Sequence, residues 1–335
     1  MSAHKAAPAR ATPSGSASSG RLPSWATGAA QAANRLASSK LARTLVTVVI
    51  LAAAALLIRG ELKSSRFADV TKAIAATPPW ALAASAAFTV ATYLCEALLE
   101  WRVLKFIGKP LPLGRTLFAA SASSALSIAM GFGIASGTAA RLRFYAFAQL
   151  SAADVAKITA LVSGAIFLAG LGALGLSGFF GLSTIGAILH WPQWGVAILS
   201  AVLLAIVPGW FLVLRRFRGK DPDAMDGKGR AITLACGLGN WVFQGAAMFV
   251  LAAHHPGDFP GFFAAFTLAS LFGSALGVPA DLGVLEAAVM GSHSLGSAHQ
   301  AAAALVLYRV IFQLIPLILA VIAMGGRQIA KLVRH

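Results

Sequence analysis

The sequence predicts an all-α polytopic membrane protein with about six full transmembrane helices and two re-entrant hairpins. Of its 335 residues, 58% are hydrophobic and 11% are charged, and the mean hydropathy is +0.78. Soluble domains average about 45–50% apolar and about 25% charged residues. Apolar segments near the roughly 20 residues that cross a hydrocarbon core recur along the chain. These observations exclude a soluble globular protein.

Basic residues outnumber acidic ones, and their positions indicate topology. The chain has 27 Lys and Arg against 11 Asp and Glu, a formal net charge of +16. Most of the basic residues lie in the N-terminal tail, in short loops and at the C-terminal end, where cytoplasmic segments of membrane proteins carry them. We therefore expect orientation signals and attraction to anionic lipid headgroups, and no nucleic-acid partner.

Composition divides the chain into three regions. Residues 1–40 are rich in Ala, Ser, Pro and Gly and lack the apolar run of a signal peptide, which predicts a disordered cytoplasmic tail. Residues 41–326 form the predicted transmembrane domain. Residues 327–335 form a basic tail, also predicted to be cytoplasmic.

Six apolar segments are predicted to cross the bilayer completely. They are 43–59, 80–101, 154–182, 195–214, 231–253 and 300–324. Ser151 and Asp154 are spaced as a capping box at the start of the third segment. Cys95 and Cys236 show no metal or disulfide spacing, so we expect both to pack as small apolar residues.

The loops between these segments fix the orientation. The positive-inside rule places the basic loops 102–115 and 215–230 and both termini in the cytoplasm. The loops 183–194 and 253–260 contain no Lys or Arg and are predicted to lie outside.

Two further regions, 116–150 and 261–297, which begin with the apolar segments 116–135 and 261–278, cannot cross only once under this orientation. The first must begin and end inside and the second must begin and end outside, so both are predicted to be re-entrant hairpins. Each half of the chain then reads span, span, hairpin, span, and the second half runs in the opposite direction. Such an inverted-topology repeat recurs in transporters, with sites near the midplane where helices are broken.

Five charged residues lie in or beside the hairpins and the last span: Arg141, Arg143, Asp281, Glu286 and Arg309. A charge near the bilayer centre costs about 2.5–3.5 kcal/mol on insertion scales, so these side chains are expected to face the interior and to pair. The candidate pairs join Arg141 or Arg143 with Glu286 or Asp281, and Arg309 with Glu96 or Glu100.

Other interpretations of these residues stay open. Arg141 and Arg143 at the cytoplasmic interface would be topology anchors, and Glu100, next to Trp101 and Arg102, would be interfacial. Hairpin tips require breaks in the helix, for which Gly137, Pro279 and Gly283 are the expected residues.

Patterns of catalytic and cofactor-binding residues are absent from the sequence. It contains no HExxH, G-x-S-x-G, C-x-x-C or Walker A motif. We expect no enzyme activity, no cofactor and no metal site.

Three stretches resemble one known family. They are "SGTAARLRFYAFAQLSAADVAKI" from 136, "GVPADLGVLEAAV" from 277 and "LYRVIFQLIPLILA" from 307. In this order they resemble the transmembrane region of the lysylphosphatidylglycerol synthase/flippase family, the lipid-translocating part of the multiple peptide resistance factor. That region moves aminoacylated phosphatidylglycerol between leaflets of the bacterial inner membrane, which confers resistance to cationic antimicrobial peptides. The resemblance covers about residues 40–325.

The resemblance implies functional residues in each stretch. Substrate-binding roles fall on Arg141, Arg143, Tyr145, Glu286, Tyr308 and Arg309, and structural roles at helix breaks on Ser136, Gly137, Pro279, Gly283 and Pro316. Thr138 and the pair Ala280-Asp281 stand where the family has glycine, and Phe312-Gln313 replaces a tyrosine pair. The soluble synthase domain of the family is not part of this sequence.

The sequence thus predicts a lipid flippase without enzymatic chemistry. Arg141 and Arg143 would contact lipid phosphate, because arginine is a bidentate donor. Asp281 and Glu286 would contact a cationic group or carry a proton, and Arg309 would bind phosphate or hold a helix interface. The expected partners are an anionic or aminoacylated phospholipid, a separate synthase and a second copy of the chain. The alternative function is a non-transporting membrane scaffold for a separate lipid-modifying or cell-envelope enzyme.

Overall fold

The computed structural model describes residues 71–322 apart from 73, 131–132, 146–147, 149, 217–226, 253–258, 277–280, 282 and 287–297. Regular secondary structure in these residues is helical, without a strand. The predicted span 43–59, both predicted tails and Pro279 lie outside the described residues. The prediction of an all-α, multi-pass membrane protein is confirmed at this level.

Nine α-helices follow one another along the described chain. They are α1 (Pro79–Phe106), α2 (Leu113–Met130), α3 (Gly133–Phe144), α4 (Ala152–Phe180), α5 (Leu182–Leu189), α6 (Gln193–Arg216), α7 (Gly227–Ala252), α8 (Phe259–Leu276) and α9 (Ala298–Tyr308). A π-helical segment, Arg309–Leu314, continues α9, and the chain is again α-helical from 315 to 322.

Helix α4 begins as its sequence predicts. The Ser151 hydroxyl accepts a hydrogen bond from the Asp154 backbone N–H, and the Asp154 carboxylate accepts one from the Ser151 N–H. This reciprocal capping box satisfies two backbone donors that the first helical turn cannot. Helix α5 occupies the first half of the predicted outer loop 183–194, and His190, which follows its last residue, has a left-handed φ of 54°.

Five described helices are long and apolar enough to cross a membrane: Pro79–Phe106, Ala152–Phe180, Gly229–Ala252, Phe259–Leu276 and Gln300–Ile322. Large apolar side chains project outward from them, including Phe180, Phe272, Leu276, Leu319 and Ile322. A soluble protein avoids a contiguous apolar surface of this kind, whereas lipid tails solvate it.

The two regions predicted as hairpins differ from each other. Helices α2 and α3 pack directly on one another across a connection of two residues. Helix α8 has 18 residues and is one of the five helices that could cross the membrane. Whether either region enters the bilayer and returns stays a prediction.

Small residues let the helices approach closely. Gly170 lies under the indole of Trp241, whose Nε1 donates a hydrogen bond of 2.8 Å to the Ile166 carbonyl. Gly175 of α4 faces the backbone of Ser200 in α6. In membranes, packing of this kind replaces the hydrophobic effect as the force that holds helices together. The free cysteines Cys95 and Cys236 pack in an apolar cluster around α1, as expected.

We predict that Gly175→Ala destabilises the protein relative to Gly114→Ala. A Cβ at position 175 would come 2.8 Å from the Ser200 carbonyl oxygen, whereas nothing lies within 4 Å of a Cβ at 114. Overpacking costs about 1–3 kcal/mol, and alanine otherwise gains up to about 1 kcal/mol over glycine in a helix. Thermal unfolding in detergent measures the difference. Equal melting temperatures for the two variants would contradict the close α4–α6 contact.

Candidate functional site

The first buried ionic cluster joins helices α1, α2 and α3. Glu96 and Glu100 are one turn apart on α1 and therefore lie on the same face. Arg141 of α3 donates from Nε and Nη2 to Glu100 Oε2, at 3.0 and 2.7 Å. Its Nη2 lies 3.8 Å from Glu96 Oε1. The Arg141 side chain is 3% exposed and that of Glu100 is fully buried, so this ion pair is closed to solvent.

Small and hydroxylated residues make room for this cluster. A Cβ at Gly137 would come 3.0 Å from Arg141 Nη1, so the absence of a side chain one turn earlier lets the guanidinium lie along α3. Ser124 of α2 donates a hydrogen bond to Glu96 Oε1. Tyr145, buried at the end of α3, is an electrostatic neighbour of both Glu100 and Arg141.

The second ionic cluster joins the segment after α8 to the last span. Arg309 Nη2 donates a hydrogen bond to Glu286 Oε1. Asp281 has a left-handed φ of 53°, and its carboxylate packs against Gly273 and lies beside the Ser270 hydroxyl. The Arg309 side chain is 7% exposed but that of Glu286 is 20% exposed. This cluster is therefore more open than the first.

The predicted pairings were wrong, because Arg141 and Arg309 each pair with a residue that was predicted as a partner of the other. Arg141 bonds Glu100 rather than Glu286 or Asp281, and Arg309 bonds Glu286 rather than Glu96 or Glu100. Helix α1 packs on α2, the neighbour of α3, which brings the α1 carboxylates within reach of the long Arg141 side chain. Glu100 and Arg141 are both buried within the protein rather than exposed on its surface.

Four other predicted site residues lie outside the two ion pairs. Arg143 is partly buried at the end of α3 and takes part in neither of the two ion pairs described above. Ser136 and Gly137 lie inside α3, so the expected break at these residues is wrong. Gly283 has a φ of 78° in a turn, as a chain break requires.

The π-helical segment has an identifiable cause. Pro316 has no N–H to offer the carbonyl of Phe312, four residues earlier, and its ring crowds that carbonyl. The helix widens here, and the Ile315 N–H bonds to the Val310 carbonyl five residues back. The Tyr93 hydroxyl of α1 donates a 3.2 Å hydrogen bond to the Phe312 carbonyl. A side chain from another helix therefore replaces the donor that proline removes.

Tyr93 also connects the two ionic clusters. It precedes Glu96 by three residues, and Phe312 follows Arg309 by three residues. The Phe312 ring contacts Tyr93 with centroids 5.7 Å apart and stacks on Tyr308 at 5.0 Å. Sequence reasoning missed Tyr93 and Ser124, although Pro316 signals that the Phe312 carbonyl needs a new donor.

Comparisons with known proteins add one relative. The uncharacterized protein slr0712 of Synechocystis sp. is 28% identical over 262 residues, which cover 75% of this chain and 80% of that protein. Its name states no activity. No protein-family model matches the chain. Within the described residues, no three His, Cys, Asp or Glu side chains are grouped to hold a metal ion.

We predict that Tyr93→Phe destabilises the protein by about 1–3 kcal/mol, because it leaves the buried Phe312 carbonyl without its donor. Pro316→Ala supplies a backbone N–H at position 316 and should reduce that loss when the two substitutions are combined. Equilibrium unfolding of the wild type, both single variants and the double variant in mixed micelles measures the coupling. Additive losses would contradict the role given to Tyr93.

We also predict that Arg141→Gln costs about 3–5 kcal/mol, because it leaves the Glu100 carboxylate buried without its cation. Adding Glu100→Gln should recover most of the loss in the same unfolding experiment. Lys157→Gln is the control, since Lys157 is exposed and its loss should change stability by less than about 0.5 kcal/mol. A double variant as unstable as the sum of its parts would rule out the pairing.

Proposed function

We propose that this protein moves a membrane lipid with a charged headgroup between the leaflets of the bilayer. The observation that carries the proposal is a pair of buried arginine–carboxylate clusters in a bundle of apolar helices, five of which are long enough to cross a membrane. Ionisable residues in such segments are costly and mark pathways for polar substrates. A scaffold needs only apolar contacts in the membrane, so the free-energy cost of burying charged side chains would serve no function in a scaffold.

The second cluster is the better candidate for headgroup contact. The Glu286 side chain is 20% exposed and Asp281 is partly exposed, whereas Glu100 is fully buried. When the Glu286–Arg309 pair opens, the guanidinium can bind a lipid phosphate and the carboxylates can bind an ammonium group. Arg141 then has a positioning role in the first cluster instead of the phosphate contact that the sequence predicts.

The surface beside this cluster suits the acyl chains. Phe272 and Leu276 of α8 and Ile318, Leu319 and Ile322 of the last span are exposed apolar residues. A headgroup could follow the ionic cluster while its tails stay in lipid. Aminoacyl-phosphatidylglycerol is the first substrate to test, because the three stretches around Arg141, Glu286 and Arg309 resemble the family that moves it.

We further propose a bacterial inner membrane location with both termini in the cytoplasm. Trp80, at the start of α1, and Trp191 and Trp194, around the start of α6, are exposed. Tryptophan is enriched at membrane–water interfaces. Because tryptophan marks both interfaces, these positions support span ends at the membrane surface, and the orientation itself rests on the basic loops.

The test is a leaflet assay in reconstituted vesicles with fluorescent phosphatidylglycerol and fluorescent lysyl-phosphatidylglycerol. We predict that Glu286→Gln and Arg309→Gln each slow lipid movement about tenfold or more, because a hydrogen bond to a charged group contributes about 1.5–3 kcal/mol. The exposed Lys157→Gln is the matched control for loss of a charge.

The double variant Glu286→Gln/Arg309→Gln separates substrate contact from structure. If the pair only holds the fold, removing both charges restores movement, and the assigned site is wrong. If the pair binds the headgroup, the double variant stays inactive while its melting temperature recovers. Wild-type vesicles that move neither lipid faster than protein-free vesicles would overturn the proposed function and favour a scaffold.

A further inference from the structure

The first cluster holds more negative than positive side chains. Among the described residues, the charged groups that act on Glu96 are Arg141 from α3 and Glu100 from its own helix. The hydroxyl of Ser124 from α2 donates a hydrogen bond to Glu96. Tyr93 lies near Glu96 on α1, and Tyr308 of α9 is the other titratable group near Tyr93. One guanidinium thus faces two carboxyl groups in a buried site.

We propose that Glu96 is a proton-binding site of this protein. Two carboxylates close to one cation in a low-dielectric site cannot both stay ionised without a large cost, so one of them takes up a proton. Glu100 accepts two hydrogen bonds from Arg141, which makes Glu100 rather than Glu96 the direct ion-pair partner of the guanidinium. Glu96 lies 3.8 Å from the guanidinium and is bonded by a neutral hydroxyl.

Exposure also separates the two carboxyl groups. The Glu96 side chain is 14% exposed, whereas that of Glu100 is not exposed at all. In this proposal the partly exposed Glu96, and not Glu100, is the group that exchanges a proton with water. The carboxylate takes one proton from water to form the neutral acid and returns it on release, and no other bond changes.

Tyr93 gives the proton a structural consequence. Its hydroxyl donates to the Phe312 carbonyl in the last span and lies near Glu96. When Glu96 loses its proton, the new carboxylate competes with that carbonyl for the single Tyr93 donor. Proton release at Glu96 thereby weakens the bond to the helix that carries Arg309. This coupling to the second cluster rests on the proposed function, whereas the proton site does not.

Infrared spectroscopy of the protein in lipid vesicles tests the proton site directly. At neutral pH we expect the carbonyl-stretch band of protonated carboxyl groups to lose the intensity of one group in Glu96→Gln. Glutamine matches the size and neutrality of the protonated acid, so the variant should fold. Glu100→Gln should also remove this band, because Arg141 then faces Glu96 alone and Glu96 ionises, whereas Lys157→Gln, outside the cluster, should leave it unchanged. Asp281→Asn accounts for any proton in the second cluster. An unchanged band in Glu96→Gln overturns the proposal.

The second measurement tests the coupling. Lipid movement is compared with and without a pH gradient across the same vesicles. We expect the ratio of the two rates to differ from one in the wild type and to approach one in Glu96→Gln. A ratio that is unchanged by the substitution rejects coupling through Glu96. If wild-type vesicles move no lipid, the proposed function fails, and the infrared band alone decides whether Glu96 binds a proton.

Discussion

The cost of placing a charge in hydrocarbon governs the arrangement of this molecule. The side chains of Arg141 and Arg309 are buried within the helix bundle, and each is paired with a carboxylate from another part of the chain. Removing one partner of such a pair is strongly destabilising, because the remaining charge stays buried without a counter-ion or water. The helices that supply the partners must therefore stay in register, and small residues such as Gly137 and Gly273 provide the space.

The two clusters are separate, yet they are not independent. Tyr93 and Glu96 share a face of α1, and Phe312 and Arg309 share the widened turn of the last span. The hydrogen bond from Tyr93 to the Phe312 carbonyl and the contact between the Tyr93 and Phe312 rings join these two helices. π-helical turns occur frequently at functional sites, where a lost backbone bond can be exchanged for another. A change in one cluster thus has a short physical route to the other.

Local features were predictable from the sequence, and long-range ones were not. The Ser151–Asp154 cap was predicted, because it depends on residues three positions apart, and the span predicted at 80–101 appears as Pro79–Phe106. The partner of Arg141 lies 41 positions away on a helix whose rotation no local pattern fixes. Both arginines and all four acids were recognised as candidates, but the pairing depends on helix packing. Pro316 predicts from the sequence alone that the Phe312 carbonyl needs another partner, because an interior proline removes one backbone N–H donor.

The central claim is that the charged side chains of the second cluster face a hydrated interior and not the acyl chains. Thiol labelling measures this directly in a background where Cys95 and Cys236 are replaced by alanine. Glu286→Cys should react with a small water-soluble thiol reagent in vesicles. Leu319→Cys, on the exposed apolar face of the last span, should not react. Equal reactivity at the two positions, or reaction at 319 alone, would contradict an interior pathway.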